Sequence, residues 1–223
     1  MTLYHHLGLG DHIICNGLVR HFCSENKSVQ LFCLKSNSKN VEYMYRDLKN
    51  LHLIEVTSDH EAVQKIINEK LNVLKIGFEK LSYSSDASFD AEFYKCAELP
   101  FEYKFDKFHI QRDTKKELTI LNELNPTNNK YIFIHGDNVN PKKIRQDLKI
   151  INNPIQYSLF DLISLFENAE EIHVVESSLK CLINQIILTK PKLYHHKYGN
   201  KYSNLYPEFH TSKGLNKFEI IKN

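Results

Sequence analysis

The run Gly8-Leu9-Gly10-Asp11-His12 places an acid directly after two glycines, near the start of the chain. Glycines let the backbone turn sharply and come close to a ligand. A helix beginning there offers free N–H groups and a partial positive charge. An aspartate in that position can act as a general base, taking the proton from a hydroxyl that attacks an activated carbon. It can equally be an N-terminal cap that only satisfies helix N–H groups. His5, His6 and His12 surround the same loop. They would bind phosphate, orient the base, or serve as ordinary strand and turn residues.

Three further clusters lie in the second half. His135-Gly136-Asp137 follows a buried-type run and presents polar groups at a strand end, to a donor phosphate or leaving group or simply as a turn. Lys142, Lys143 and Arg145 come next; a basic side chain there would neutralise a diphosphate or stand in a solvated loop. Glu176-Ser177-Ser178 joins a strand to a helix. Small hydroxyl residues at a helix N-terminus suit phosphate, and Ser177 would also cap that helix. Arg112-Asp113 reads as an ion pair or a helix cap. No cluster has metal-ligand spacing, and no clear D-x-D is present. The dinucleotide fingerprint fails because Ile13 stands at the third glycine position and Lys35-Ser36 offers no ribose-binding acid. G-x-x-x-x-G-K-[ST] and G-x-S-x-G are also absent.

These clusters need elements to hold them, and the patterning supplies alternating strands and helices. A strand around Leu3-Tyr4 leads into a helix with Ile13, Ile14, Gly17, Leu18, His21 and Phe22 on one face. Strands follow at Val29–Leu34, Leu51–Val56 and residues 73–77. Helices lie between them, over about residues 38–48 and from Asp59 onward. The middle is less regular: a serine-rich loop over residues 82–88, a short helix over 90–97, an extended stretch over 101–110 and a helix at Thr114–Leu124. A second α/β series begins at Tyr131–His135. It continues with a short strand over 149–151, a helix opened by Ser158 and Asp161 as a capping box, a strand over 171–175, a helix from Ser177 and a short strand over 192–194. The tail after Lys197 is only weakly patterned. Strands alternating with helices of this length imply parallel βαβ units. The expected fold class is α/β: two small Rossmann-like halves with parallel sheets facing a cleft, residues 1–110 and 111–223.

The 223 residues carry a net charge of +2, too weak a field to imply nucleic acid. The five cysteines are scattered and odd in number, which argues against a disulfide framework. No run approaches the roughly 18 apolar residues of a membrane span. Met1 leads straight into the first strand, so the expected compartment is cytoplasmic.

With Gly10-Asp11 opening a helix that carries Leu18-Val19-Arg20, the chain resembles GT-B-type glycosyltransferases, closest to the heptosyltransferase group in a compact form. Glu176-Ser177-Ser178 resembles that family's Asp-Ser-Gly turn near the nucleotide-sugar diphosphate, and the segment from Tyr131 to Asp137 resembles the opening of its donor domain. Cys15-Asn16 stands in place of the family's Thr-Pro, and Leu182 lies where a histidine would follow. The resemblance implies metal-independent sugar transfer from a nucleotide sugar to a glycan or other hydroxyl acceptor, with Asp11 as base and no cofactor. The acceptor would sit on the first half. Gly8, Gly10, His12, His135, Asp137, Lys143, Arg145, Glu176, Ser177 and Ser178 are the expected binding residues. The alternative is a non-catalytic sugar- or nucleotide-binding module of a glycan-assembly system. A third reading is another small α/β transferase or hydrolase using His135 and Asp137.

Overall fold

A computed structural model describes residues 1–77, 88–197 and 214–222. The chain divides into two compact units, Met1–Gln111 and one beginning at Arg112. Each is built around a parallel sheet.

In the first unit the strands are β1 (Thr2–Tyr4), β2 (Val29–Leu34), β3 (Leu51–Val56) and β4 (Val73–Lys75), in the order β3-β2-β1-β4. Thr2 pairs with Gln30 on one side and Val73 on the other. The chain therefore runs outward from β1 through β2 to β3, then returns to the opposite side of β1. That reversal creates a topological switch point between the carboxyl ends of β1 and β4, where open α/β sheets bind ligands. Tyr4, Leu7, Phe32, Val56 and Ala62 form one packed cluster beneath the sheet. Each large apolar side chain so buried contributes about 1.5–3 kcal/mol.

The second unit holds β5 (Tyr131–His135), β6 (Lys149–Asn152), β7 (Glu171–Val174), β8 (Lys192–Lys197) and β9 (Phe218–Lys222), in the order β6-β5-β7-β8-β9. All four pairings are parallel. Here the switch point lies between β5 and β7. Phe133 and Phe166 pack edge to face, 5.0 Å apart, in the core below them.

Several expectations need correction. The first helix is two, Leu9–Ile14 and Asn16–Glu25, broken at Cys15 where ψ is 4°. The break leaves His21 and Phe22 only half-buried, while Ile13, Ile14, Gly17 and Leu18 stay inside. The extended stretch expected over residues 101–110 instead contains a helical turn, Tyr103–Asp106. Lys104 turns inward there to meet Asp90, both fully buried at 2.5 Å, and that pair overrides the alternating pattern. Ser158 caps a 3-10 turn by accepting from Phe160 N–H, and buried Asp161 pairs with Lys116 at 2.7 Å, so no capping box forms. β8 is longer than expected, and β9 was unexpected. The serine-rich loop falls largely outside the described residues.

Candidate active site

The loop after β1 carries the first cluster. Gly8 is the N-cap of the helix Leu9–Ile14, so Asp11 is the third helical residue rather than the cap. Its carboxylate folds back toward the Gly8 N–H, as the acid of a capping box does, while glycine has no side chain to reciprocate. A Cβ at Gly8 would lie 2.5 Å from Asp11 Oδ2, so the returning carboxylate occupies the space that the missing side chain leaves.

Burial raises the Asp11 carboxyl above its ordinary value. His6 and the Gly8 N–H oppose that rise, while Asp59 adds to it. Desolvation thus wins over the local donors. His6 spans the switch point: its Nε2 lies 2.8 Å from the Gly77 carbonyl, in the loop after β4. A carbonyl only accepts, so Nε2 carries the proton. The His6 ring also packs edge-on against Phe93.

His5 and His12 lie deeper. Both are fully buried, with ring centroids 4.4 Å apart. Burial pushes His5 down to about 4 and His12 well below its ordinary value. Both rings are therefore neutral near pH 7. His12 was expected at the binding surface, but none of its surface reaches solvent, because the helix Leu9–Ile14 turns its ring toward the core. Gly10 is half-buried in the helix's first turn.

In the second unit, the carboxyl ends of β5 and β7 bring two sequence clusters side by side. His135 pairs in register with Val174. Gly136 follows at φ 108°, a conformation that glycine adopts readily, and a Cβ there would lie 2.5 Å from Val175 Cγ2. The glycine thus lets the loops after β5 and β7 approach. Burial lowers His135 and the exposed Asp137 partly offsets it, leaving a neutral imidazole whose Nδ1 is buried without a partner among the described residues.

Ser177 is the N-cap of the helix Ser178–Ile183; its Oγ accepts from Lys180 N–H at 3.3 Å and donates to Val175 C=O at 3.1 Å. The capping role expected of it is therefore filled. Ser178 is the half-buried first helical residue. Beside it, Lys180 Nζ reaches Glu176 Oε2 at 2.7 Å. His195, on β8, approaches the same oxygen at 3.2 Å. Burial alone would raise Glu176, but His195 and Lys180 outweigh it and hold the carboxyl at about 2. Glu176 remains 43% exposed, whereas Lys180 and His195 side chains are each only 6% exposed. Neither Lys180 nor His195 is legible as a partner of Glu176 from the Glu-Ser-Ser run, since neither lies within it. The i,i+4 spacing of Glu176 and Lys180 was the available signal for the lysine.

Lys142 and Lys143 are exposed in a 3-10 turn, Pro141–Lys143. Arg145 makes a forked pair with Asp147, at 3.0 and 2.6 Å, and approaches Glu171 at 3.5 Å. Three of the thiols are poor nucleophiles: burial raises Cys15, takes Cys23 to about 11 and Cys33 to about 12. Among the described residues no group of three His, Cys, Asp or Glu is arranged to hold a metal ion, and no helix is long and apolar enough to cross a membrane.

Two parallel sheets of this order define an α/β, GT-B-like fold. A solved structure, the glycosyl transferase family 9 protein from Veillonella parvula DSM 2008, is similar across 100% of this chain and 85% of its own, with a TM-score of 0.56 and 8% identity. At that identity the likeness speaks to the fold. No protein-family profile matches the chain, and no curated protein matches it in sequence.

Proposed function

We propose that this protein is a glycosyltransferase that moves a sugar from a nucleotide-sugar donor to a hydroxyl acceptor, with Asp11 as general base and no metal requirement. The observation that carries the reading is Asp11 itself. It is a desolvated carboxylate with a raised pKa, at the switch-point edge of a sheet whose fold is similar to that of a glycosyltransferase. A base of raised pKa holds an abstracted proton better near neutrality. The acceptor would lie over the first unit, its hydroxyl directed at Asp11.

The donor would lie against the second unit. Its diphosphate meets Lys142, Lys143 and the neutral His135 as donors, with Lys180 and His195 behind Glu176. As the sugar–phosphate bond breaks, the Asp11 carboxylate takes the acceptor proton, the acceptor oxygen bonds to the anomeric carbon, and the nucleoside diphosphate leaves with the electron pair. Positive groups aimed at that departing charge stabilise the transition state.

The test is a thermal-shift panel of nucleotide sugars and free nucleotides on the full chain. The reading expects one donor class to raise the melting temperature. Donor binding without any release of nucleoside diphosphate, across a set of acceptors, would instead assign a non-catalytic binding module. No shift with any nucleotide would remove the donor site from the second unit.

A further inference from the structure

The connection from β5 to β6 crosses one face of its sheet without an α-helix. Residues 136–148 contain only the short turn Pro141–Lys143. Parallel strands are usually joined by a helix whose apolar side covers the sheet. Here the sheet face offers polar groups instead. Glu171 and His173 alternate to one face of β7, and Tyr194 and His196 to one face of β8. Glu171 is 4% exposed, and both histidines are 0% exposed.

These side chains form a continuous chain of hydrogen bonds. Asn140 N–H donates to His196 Nδ1 at 3.1 Å. His196 Nε2 lies 2.9 Å from His173 Nδ1. His173 Nε2 lies 3.3 Å from Glu171 Oε2. The ends fix the protons, since a backbone N–H can only donate and a carboxylate only accept. His196 must therefore be protonated at Nε2 and donate to His173. His173 must be protonated at Nε2 and donate to Glu171. The other Glu171 oxygen faces Arg145 Nη1 at 3.5 Å. Both ends of the relay thus hold the same loop, at Asn140 and at Arg145, on either side of Lys142 and Lys143.

We infer that Glu171, His173 and His196 are positioning residues that pin the basic 136–148 loop to the sheet, and that protonation of the relay releases it. A proton added to His196 Nδ1 would point at the Asn140 N–H, two donors facing each other. Groups that face the relay among the described residues include Tyr194, stacked on His173 at 4.5 Å, Arg145 with its partner Asp147, and Glu219 beside Tyr194. Burial lowers His173 below its ordinary 6.5 despite Glu171, so the pinned form holds above that pH and weakens as pH falls beneath it. What the loop holds rests on the donor site proposed above; the pinning itself needs no ligand.

The experiment is amide hydrogen exchange of residues 138–147 in the full chain, corrected for intrinsic rates, from pH 7.5 to 5.0, with inorganic pyrophosphate binding measured alongside. Wild type should lose at least tenfold protection at Asn140 across that range. His196→Leu should show that loss already at pH 7.5. In His196→Asn, Oδ1 can replace Nδ1 as acceptor for Asn140, so protection should return and become insensitive to pH. Equal protection in wild type and a folded His196→Leu would overturn the inference, as would a pH-independent wild type. If His196→Leu does not fold, the flat His196→Asn profile beside a sloping wild-type profile decides. If loop exchange behaves as expected but pyrophosphate never binds, the relay stands and the donor-site reading falls.

Discussion

Desolvation sets the character of the residues around Asp11. The same burial that raises Asp11 keeps His5 and His12 uncharged, so the loop after β1 rests on two neutral imidazoles. Unfolding restores their ordinary affinity for protons, which the native state resists. Native His5 titrates at about 4 against an ordinary 6.5, so its contribution to stability is present above pH 6.5 and is lost as pH falls toward 4. The effect is on the order of 3 kcal/mol for this one residue. Melting curves should therefore show Tm dropping steeply over that window. His12→Leu keeps the packing volume and removes one of the two buried imidazoles, so it should flatten the slope. A wild-type Tm that stays constant from pH 7 to 4.5 would contradict this picture.

At the scale of elements, the two switch points depend on close approach of neighbouring loops. Gly136 is such a case at the second switch point, with φ 108° and Val175 against the place where a side chain would begin. Gly136→Ala should destabilise the second unit by about 1–3 kcal/mol from backbone strain alone, and by more from the clash. Denaturant unfolding measures this. Adding Val175→Ala should recover the clash but not the strain. Unchanged stability in Gly136→Ala would mean that the loop has an alternative path.

The strands at Val29–Leu34, Leu51–Val56 and Tyr131–His135 are legible in the sequence because their apolar runs match their burial, and the helix Thr114–Leu124 is legible from the Asn125-Pro126 stop that ends it. The turn at Tyr103–Asp106 is not, since Phe101, Tyr103 and Phe105 alternate with charged residues as a strand would. Only the buried partner Asp90 reveals that Lys104 points inward. The positions of Asp11, His135 and Glu176 at strand ends are legible from the glycines and small residues beside them. Their surroundings are not. His6 meets Gly77 across 71 residues, and His173 meets His196 across 23. Such pairings follow from strand order, which no local pattern encodes.

For the whole molecule, one feature appears twice although the strand orders differ: each sheet reverses direction beside its first strand and places candidate chemistry at that reversal. Under the proposed function the two units would divide the labour, with acceptor and base on one and the donor's charge on the other. A nucleotide sugar should slow amide exchange at residues 135–140 and 176–180 and leave 8–12 little changed. An acceptor should do the reverse. Donor protection confined to residues 8–12 would exchange the roles assigned to the two units.

The most direct measurement is nucleoside diphosphate release by wild type and Asp11→Asn, at saturating donor and acceptor. Asparagine preserves the shape of the side chain but cannot take a proton. Turnover should fall by about 10²- to 10⁴-fold, with donor affinity unchanged. The wild-type acidic limb should lie above the ordinary aspartate value of 3.8, because burial raises Asp11. Turnover in Asp11→Asn equal to that of wild type would contradict this role for Asp11, and the base would have to be sought elsewhere.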